Sequence, residues 1–97
     1  MTNKFTRVLF ALGSIYATPG ALDLMQRAGV QPAQLFMRHR CGDWDELDAN
    51  DCAANARSVA NGMRILSAYS IGPNNERIWL VTDADRAATT ALLPREY

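Results

Sequence analysis

The densest group of reactive side chains lies between residues 38 and 43, where the sequence reads Arg-His-Arg-Cys-Gly-Asp. His39 and Cys41, together with Cys52, could donate ligands to a metal ion. Structural zinc sites normally take a full tetrahedral set of Cys and His, at paired spacings that let neighbouring ligands converge. The His-x-Cys spacing lacks that form, and no second cysteine pair exists. The sequence therefore predicts no metal ion and no other cofactor.

The same residues allow a nucleophilic centre, with Cys41 attacking and His39 as the base. Such a pair needs the imidazole within hydrogen-bond reach of the thiol. Residues two apart on a helix do not face each other. We therefore predict no catalytic residue and no enzyme. His39, the only histidine, is instead predicted to lie partly exposed at a helix end, where positive charge suits the helix dipole, and Cys52 is predicted to pack in the core.

An acidic stretch follows, holding half of all the acidic residues within nine positions. Negative charge favours helix N-termini, so these residues could simply start helices. Alternatively they form an exposed patch that binds arginines of a protein partner. Trp44 lies between two of the carboxylates and is typical of an interface anchor with a polar rim, although it could also lie buried under the helix connection. We predict a partner-binding site made of Asp43, Trp44, Asp45, Glu46, Asp48 and Asp51.

Two further features have simpler interpretations. The pair Asp83 and Asp85 resembles a metal-dependent transfer motif, but aspartates in turns usually hydrogen-bond nearby backbone. Arg86 could bind phosphate or pair with Asp83. Trp79 lies in a run of strand-forming residues and is predicted to lie in the core. The sequence has no glycine-rich phosphate loop and no nucleophile elbow.

The first elements that must position these residues lie between residues 8 and 29. Residues 8–17 are apolar and partly β-branched or aromatic, which predicts a short strand or an extended arm. Thr18 is a good helix cap and Pro19 fits the first helical position. Gly29 is typical of the residue after a helix end. We therefore predict a helix over 19–28.

A second helix is predicted to start at Pro32 and to end at Gly42. Asp43 and Glu46 then have the spacing of a capping box, which predicts a short turn of helix there.

A third helix is predicted after Asp48 or Asn50, ending near Gly62. Its inward face should be the stripe of small and apolar residues that recurs at helical spacing, Cys52, Ala56, Val59 and Met63.

The second half of the chain changes to a two-residue period. Residues 65–71 and 77–82 flank the turn sequence Gly-Pro-Asn-Asn at 72–75, which predicts an antiparallel hairpin. Residues 89–93 read as a third strand after a polar break. The chain is therefore predicted to form a single α+β domain over 1–97, with two layers in which N-terminal helices pack on a three- to four-stranded antiparallel sheet.

Composition limits the class of partner and the compartment. The chain has 97 residues and a formal net charge of zero, whereas a general nucleic-acid binder usually carries a basic surplus. No apolar run is long enough to span a membrane. The start Met1–Arg7 and the apolar run after it resemble a signal peptide, but that run is too short. Two cysteines are few for a small secreted domain, although a Cys41–Cys52 bridge stays open, so we predict a cytoplasmic protein.

Four segments carry a resemblance that extends from about residue 9 to residue 97. They read ATPGAL at 17–22, RHxxGDW at 38–44, RILSAY at 64–69, and IWxVTxADRxxTTxLLPxEY at 78–97. The chain resembles a family of small accessory proteins, labelled only as plasmid-related, that bacterial plasmids and integrative elements encode. It departs from the family pattern in having Cys41, and in having Asp45 where a glycine is usual after Trp44. The resemblance implies a bacterial cytoplasmic protein carried by mobile DNA.

The function expected from these observations is that of a non-enzymatic protein-binding accessory protein. Its partner is expected to be a component of a host defence complex, which it would inhibit as an anti-CRISPR protein does. One alternative is a small ribonuclease-like toxin that uses Arg38, His39, Arg40 and Arg86. Another is a homodimeric regulatory module that pairs through the last strand of the hairpin.

Overall fold

A computed structural model describes residues 7–97, and these residues form three helices and a sheet of four strands. The predicted α+β class is confirmed. The basic start considered above as a signal peptide lies mainly outside the described residues. In chain order the elements are β1 (Ser14–Ala17), α1 (Pro19–Ala28), α2 (Pro32–Arg40), α3 (Ala49–Asn61), β2 (Ile65–Ile71), β3 (Glu76–Thr82), β4 (Ala88–Leu92) and a short 3-10 turn (Pro94–Glu96).

The helix boundaries follow the capping residues. The Thr18 hydroxyl accepts a hydrogen bond from the amide of Ala21 at 3.1 Å, and α1 ends at Gly29, whose φ is +69°. The Asp48 carboxylate accepts from the amide of Asp51 at 2.8 Å and so starts α3. These ends depend only on neighbouring residues, which is why the sequence predicted them.

The predicted capping box at Asp43 and Glu46 is wrong, because no helix forms between Arg40 and Ala49. The two carboxylates have partners elsewhere in the fold. Asp43 pairs with Arg38, and Glu46 accepts a hydrogen bond from the amide of Ser70. Tertiary partners have replaced the local pairing.

The strands lie in the order β1-β4-β3-β2. The hairpin is confirmed: β2 and β3 pair antiparallel from Ile65↔Thr82 to Ile71↔Glu76, and β4 continues the antiparallel arrangement beside β3. The fully antiparallel sheet is wrong, because β1 pairs parallel with β4, from Ser14↔Ala88 to Ala17↔Ala91. β1 precedes the helices and lies within the short strand or extended arm predicted over 8–17. Since the described sheet ends at β1 and β2, the last strand of the hairpin, β3, is interior and cannot pair with a second copy.

One face of the sheet carries the core. Inward side chains of β2, β3 and β4 pack against α1 and α2 in a cluster that includes Leu24, Met25, Leu35, Phe36, Tyr69, Ile78 and Leu80. A second cluster lies beneath α3 and contains Phe10, Trp44 and Ile65.

Two predictions of burial are wrong. On α3, Cys52 and Val59 do face the second cluster, but Ala56 and Met63 are exposed and the fully inward residue is Asn55. Trp79 is only partly buried, because Ile78 and Leu80 point into the core and strand alternation turns Trp79 to the opposite face. There its ring meets Tyr97 edge-on, with centroids 5.5 Å apart.

Candidate functional site

The acidic stretch divides into a buried and an exposed part. Asp43 is 5% exposed and Trp44 9% exposed, whereas Asp45, Glu46, Asp48 and Asp51 lie at the surface. The expected outward-facing tryptophan is therefore wrong, and the alternative in which it lies under the helix connection is the observed one. Trp44 packs with Phe10 and Ile65.

Asp43 holds the connection between α2 and α3 in place. Its Oδ2 accepts from Arg38 Nε at 2.6 Å, and its backbone carbonyl accepts from the Tyr69 hydroxyl at 2.8 Å. The Arg38 guanidinium also lies 4.2 Å from the centre of the Tyr69 ring. Partial burial acts to lower the pKa of Arg38, but the hydrogen bond and charge of Asp43 outweigh it and raise that pKa. A neutralised pair of this kind anchors the loop from inside.

Glu46 joins the acidic stretch to the sheet at the surface. Its Oε1 accepts from the amide of Ser70 at 2.8 Å and from Arg77 Nη1 at 3.3 Å. Its Oε2 lies 3.7 Å from Arg38 Nη2. The carboxylate is thus fixed between a backbone amide and two guanidinium groups.

Side chains bond several backbone groups along the outer edge of β2. Asn55 of α3 donates from Nδ2 to the carbonyl of Leu66 at 2.8 Å and accepts from the Leu66 amide at 3.3 Å. Ser70 lies four residues after Leu66 on the strand, and its amide donates a hydrogen bond to the Glu46 carboxylate. Because these outward groups are already bonded, β2 does not present them to an added strand.

A groove of about 580 Å³ lies between α2 and the end of β2. Apolar side chains make most of its wall, and they are Val30, Ala33, Leu35, Met37 and Ile71. Arg38 and Ser70 also line it. Both of these residues contact Glu46, so this carboxylate of the acidic stretch lies beside one end of the groove.

His39 is fully buried and lies in a chain of hydroxyl groups. Its Nδ1 is 2.5 Å from Ser67 Oγ and its Nε2 is 2.8 Å from Thr82 Oγ1. Thr82 Oγ1 is in turn 2.7 Å from Thr89 Oγ1, which donates to the carbonyl of Leu12 at 2.7 Å.

A carbonyl can only accept, which sets the direction of this chain of hydrogen bonds. Thr89 gives its single proton to Leu12, so Thr82 must donate to Thr89, and Thr82 then accepts from His39 Nε2–H. The imidazole therefore carries a proton on Nε2. Burial disfavours a second proton on Nδ1, so the ring is neutral and Ser67 donates to the bare Nδ1.

The predicted partly exposed, helix-end His39 is therefore wrong. Burial lowers the pKa of His39 from 6.5 to about 3. Although a serine beside a histidine resembles a nucleophile and its base, Ser67, His39 and Thr82 are all fully buried. The arrangement can orient α2 on the sheet, and it offers no surface to a substrate.

The other residues weighed for catalysis do not gather at one place. Arg86 donates to the backbone carbonyls of Met63 at 2.6 Å and Ser58 at 3.0 Å, which ties the end of α3 to the β3–β4 turn. Asp85 accepts from the amide of Ala87 at 2.9 Å, as expected for a turn aspartate. These interactions are structural.

Metal binding and disulfide formation both depend on which side chains residues 7–97 bring together. No group of three or more His, Cys, Asp or Glu side chains there could hold a metal ion. Cys41 and Cys52 form no disulfide bridge, and Cys52 Sγ donates to the carbonyl of Trp44 at 3.2 Å. Across the same residues, none of the helices has the length and apolarity to cross a bilayer.

Sequence reasoning missed the groove and the role of Asn55. The groove arises from the angle between α2 and the hairpin, for which no local motif exists. Asn55 did carry a signal, because it lies three residues after Cys52 and four before Val59 and so shares their face of the helix. A polar residue on the inward face of a helix needs a partner.

Comparisons with protein-family models, with curated proteins and with solved structures each gave no match for the chain.

Proposed function

We propose that this protein is a non-enzymatic binding domain that holds a basic amphipathic helix of a protein partner in the groove between α2 and β2. The observation that supports this most directly is the position of the groove, whose apolar wall runs up to Glu46 and the acidic stretch. Apolar side chains of the partner helix fill the groove. Its lysines or arginines meet the exposed carboxylates beyond.

The outer edge of β2 favours a helix over an extended peptide. Strand addition requires free backbone amides and carbonyls on the edge strand. Asn55 already bonds the amide and the carbonyl of Leu66, and Glu46 bonds the amide of Ser70. A ligand beside β2 must therefore bind through side chains, which is how an amphipathic helix binds a groove.

The charge distribution favours a basic partner. The chain is neutral as a whole, but Asp45, Asp48 and Asp51 lie exposed on one short stretch. Such a patch repels nucleic-acid phosphates and attracts cationic side chains. Asp43 and Trp44 serve this surface from beneath by fixing the loop that presents it.

The resemblance to plasmid-related accessory proteins supplies the setting of the proposal. We infer a cytoplasmic protein whose partner is a component of a bacterial defence complex and whose binding inhibits that complex. The test is plasmid establishment in a strain with an active defence system. Expression of the protein should raise the yield of transformants, and an unchanged yield across strains with different defence systems would contradict this setting.

The groove itself is tested with a matched pair of methionines. Met37 lines the groove and is 41% exposed, whereas Met63 is 59% exposed and lies outside it. The probe is a synthetic amphipathic helix of leucine and lysine, titrated into the labelled protein and followed by NMR. Shifts should concentrate on the groove residues, and Met37→Glu should abolish them while Met63→Glu leaves them unchanged.

Replacing Asp45 and Asp48 by Asn should weaken the same binding and reduce its dependence on salt. Shifts spread evenly over the surface, or equal binding by Met37→Glu and Met63→Glu, would disprove the groove as the site.

A further inference from the structure

The second edge of the sheet, β1, differs from the first because no side chain among residues 7–97 bonds its outward backbone groups. The amide of Ser14 donates to the carbonyl of Ala87, and that of Thr18 to the carbonyl of Ala91, both at 2.9 Å. Backbone groups alternate in direction along a strand. The amides and carbonyls of Ile15 and Ala17 therefore point away from β4, and no described strand pairs with them.

Natural sheets protect an open edge with charged side chains, proline, a bulge or a covering segment. At β2 this protection is supplied by Asn55 and Glu46. β1 has no proline, and residues 8–22 contain no charged side chain at all. Its central side chains are strand-formers that lie open to solvent: Ile15 is 54% and Tyr16 57% exposed. Side chains thus bond outward backbone groups of β2, whereas the outward amides and carbonyls of β1 are available for pairing with another strand.

We infer that β1 pairs antiparallel with β1 of a second copy of this chain, which joins the two sheets into one continuous sheet. A second copy fits because a neutral strand meets an identical neutral strand without repulsion, whereas a charged segment would gain nothing here. Such a contact is isologous and closes at two copies.

The geometry also sets the register. A two-fold axis perpendicular to the sheet places equivalent residues of the two copies on the same face of the joined sheet. The backbone groups available for the new hydrogen bonds are those of Ile15 and Ala17. When the axis passes beside Tyr16, Ile15 of each copy exchanges both hydrogen bonds with Ala17 of the other. Tyr16 then lies directly opposite Tyr16 of the second copy in a non-hydrogen-bonded pair, where Cα atoms are about 4.5 Å apart.

The oligomeric state tests the inference on the full chain. Sedimentation velocity over a wide range of concentration should show a dimer in equilibrium with monomer. Tyr16→Lys should convert it to monomer, because two ammonium groups would lie opposite each other. Tyr97→Lys alters another exposed tyrosine, one that packs on Trp79 of β3 and is not part of β1, and should leave the dimer intact.

Cross-linking tests the register. Under mild oxidation Tyr16→Cys should form a covalent dimer, since the Cα separation of a non-hydrogen-bonded pair suits a disulfide. Ile15→Cys, which does not lie opposite its own copy, should remain largely uncross-linked, and the wild-type chain controls for its native thiols. A protein that stays monomeric at every concentration, or a dimer that survives Tyr16→Lys, would overturn the inference. Met37→Glu should dimerise normally, which separates this surface from the groove.

Discussion

Asn55 of α3 bonds both the amide and the carbonyl of a single residue, Leu66, on the outer side of β2. The two distances are 2.8 Å to the carbonyl and 3.3 Å from the amide. A side-chain amide here takes the place of a neighbouring strand. It fixes α3 against the sheet and leaves β2 closed at that point.

Asn55→Leu should lower the free energy of unfolding by about 2–4 kcal/mol, because two backbone groups of Leu66 lose their partner. Urea denaturation measures the change. Asn61→Leu, at the exposed end of the same helix, is the matched control and should change stability by less than about 0.5 kcal/mol. Light scattering should also show more self-association for Asn55→Leu, because the edge of β2 is opened. Equal stability of the two variants would show that the bonds to Leu66 contribute little.

The buried imidazole makes stability depend on pH in a definite direction. The pKa of His39 is about 3 in the fold and 6.5 without it, so the unfolded chain binds the extra proton between these values. The contribution is complete above pH 6.5 and is lost as the pH falls, at up to about 1.4 kcal/mol per pH unit. Urea midpoints measured from pH 7.5 down to about 5 should follow this slope.

His39 is the only histidine, so the variant His39→Gln isolates its effect. The slope between pH 6.5 and 5 should nearly vanish in that variant, whatever its absolute stability. On the wild-type protein, nitrogen chemical shifts should report a neutral imidazole with its proton on Nε2 at pH 5. A charged ring at that pH would contradict the hydrogen-bond directions described above.

Truncation of Trp44 should lower the stability of the protein much more than truncation of its neighbour Asp45. Trp44→Ala removes a ring buried against Phe10 and Ile65 and should cost about 3–5 kcal/mol of stability. Asp45→Ala should cost less than about 1 kcal/mol, because Asp45 is exposed. Thermal unfolding compares the two directly. A Trp44→Ala variant as stable as the wild type would contradict the burial of this ring and would make Trp44 a candidate surface contact again.

Two glycines with the same backbone conformation differ in the space around them. Gly13 and Gly29 have φ values of +67° and +69°, but a Cβ on Gly13 would lie 2.3 Å from the carbonyl oxygen of Ala87 and one on Gly29 would meet nothing within 4 Å. Gly29→Ala should therefore cost only the backbone strain, about 1–2 kcal/mol. Gly13→Ala should cost about 3 kcal/mol or more, because it also pushes β1 from β4.

Amide hydrogen exchange can show whether Gly13→Ala displaces β1 from β4. Gly13→Ala should speed exchange at Ser14 and Thr18, whose amides bond to the carbonyls of Ala87 and Ala91, and Gly29→Ala should not. Similar exchange in both variants would show that β1 tolerates the added methyl group.

Local chemistry could be predicted from the sequence, and long-range pairing could not. Thr18 and Gly29 bounded α1 correctly because a cap and a left-handed residue act within one turn of the chain. The hairpin was equally local. The parallel partnership of Ser14 with Ala88 joins residues far apart in sequence, and no pattern near either residue indicates the other.

At the candidate site, too, the contacts that could not be predicted are those between residues distant in sequence. Asp43 and Trp44 looked like surface residues because charges surround the indole in sequence. In the fold, Arg38 forms an ion pair with Asp43, and the indole ring of Trp44 is buried. His39 shares a helix face with Leu35 and Phe36, but its partners could not be predicted, because Ser67 and Thr82 come from strands much later in the chain.

The parallel pairing of β1 with β4 bears on how the chain is made. β1 precedes every other element of the described fold, and its neighbour in the sheet is the last strand, so the contact joins residues 74 positions apart between Ser14 and Ala88. On a ribosome, β1 must wait until β4 has been synthesised, while the hairpin can form as soon as Thr82 emerges. We expect β1 to dock late, which makes the emerging chain's first strand the segment a chaperone has longest to bind.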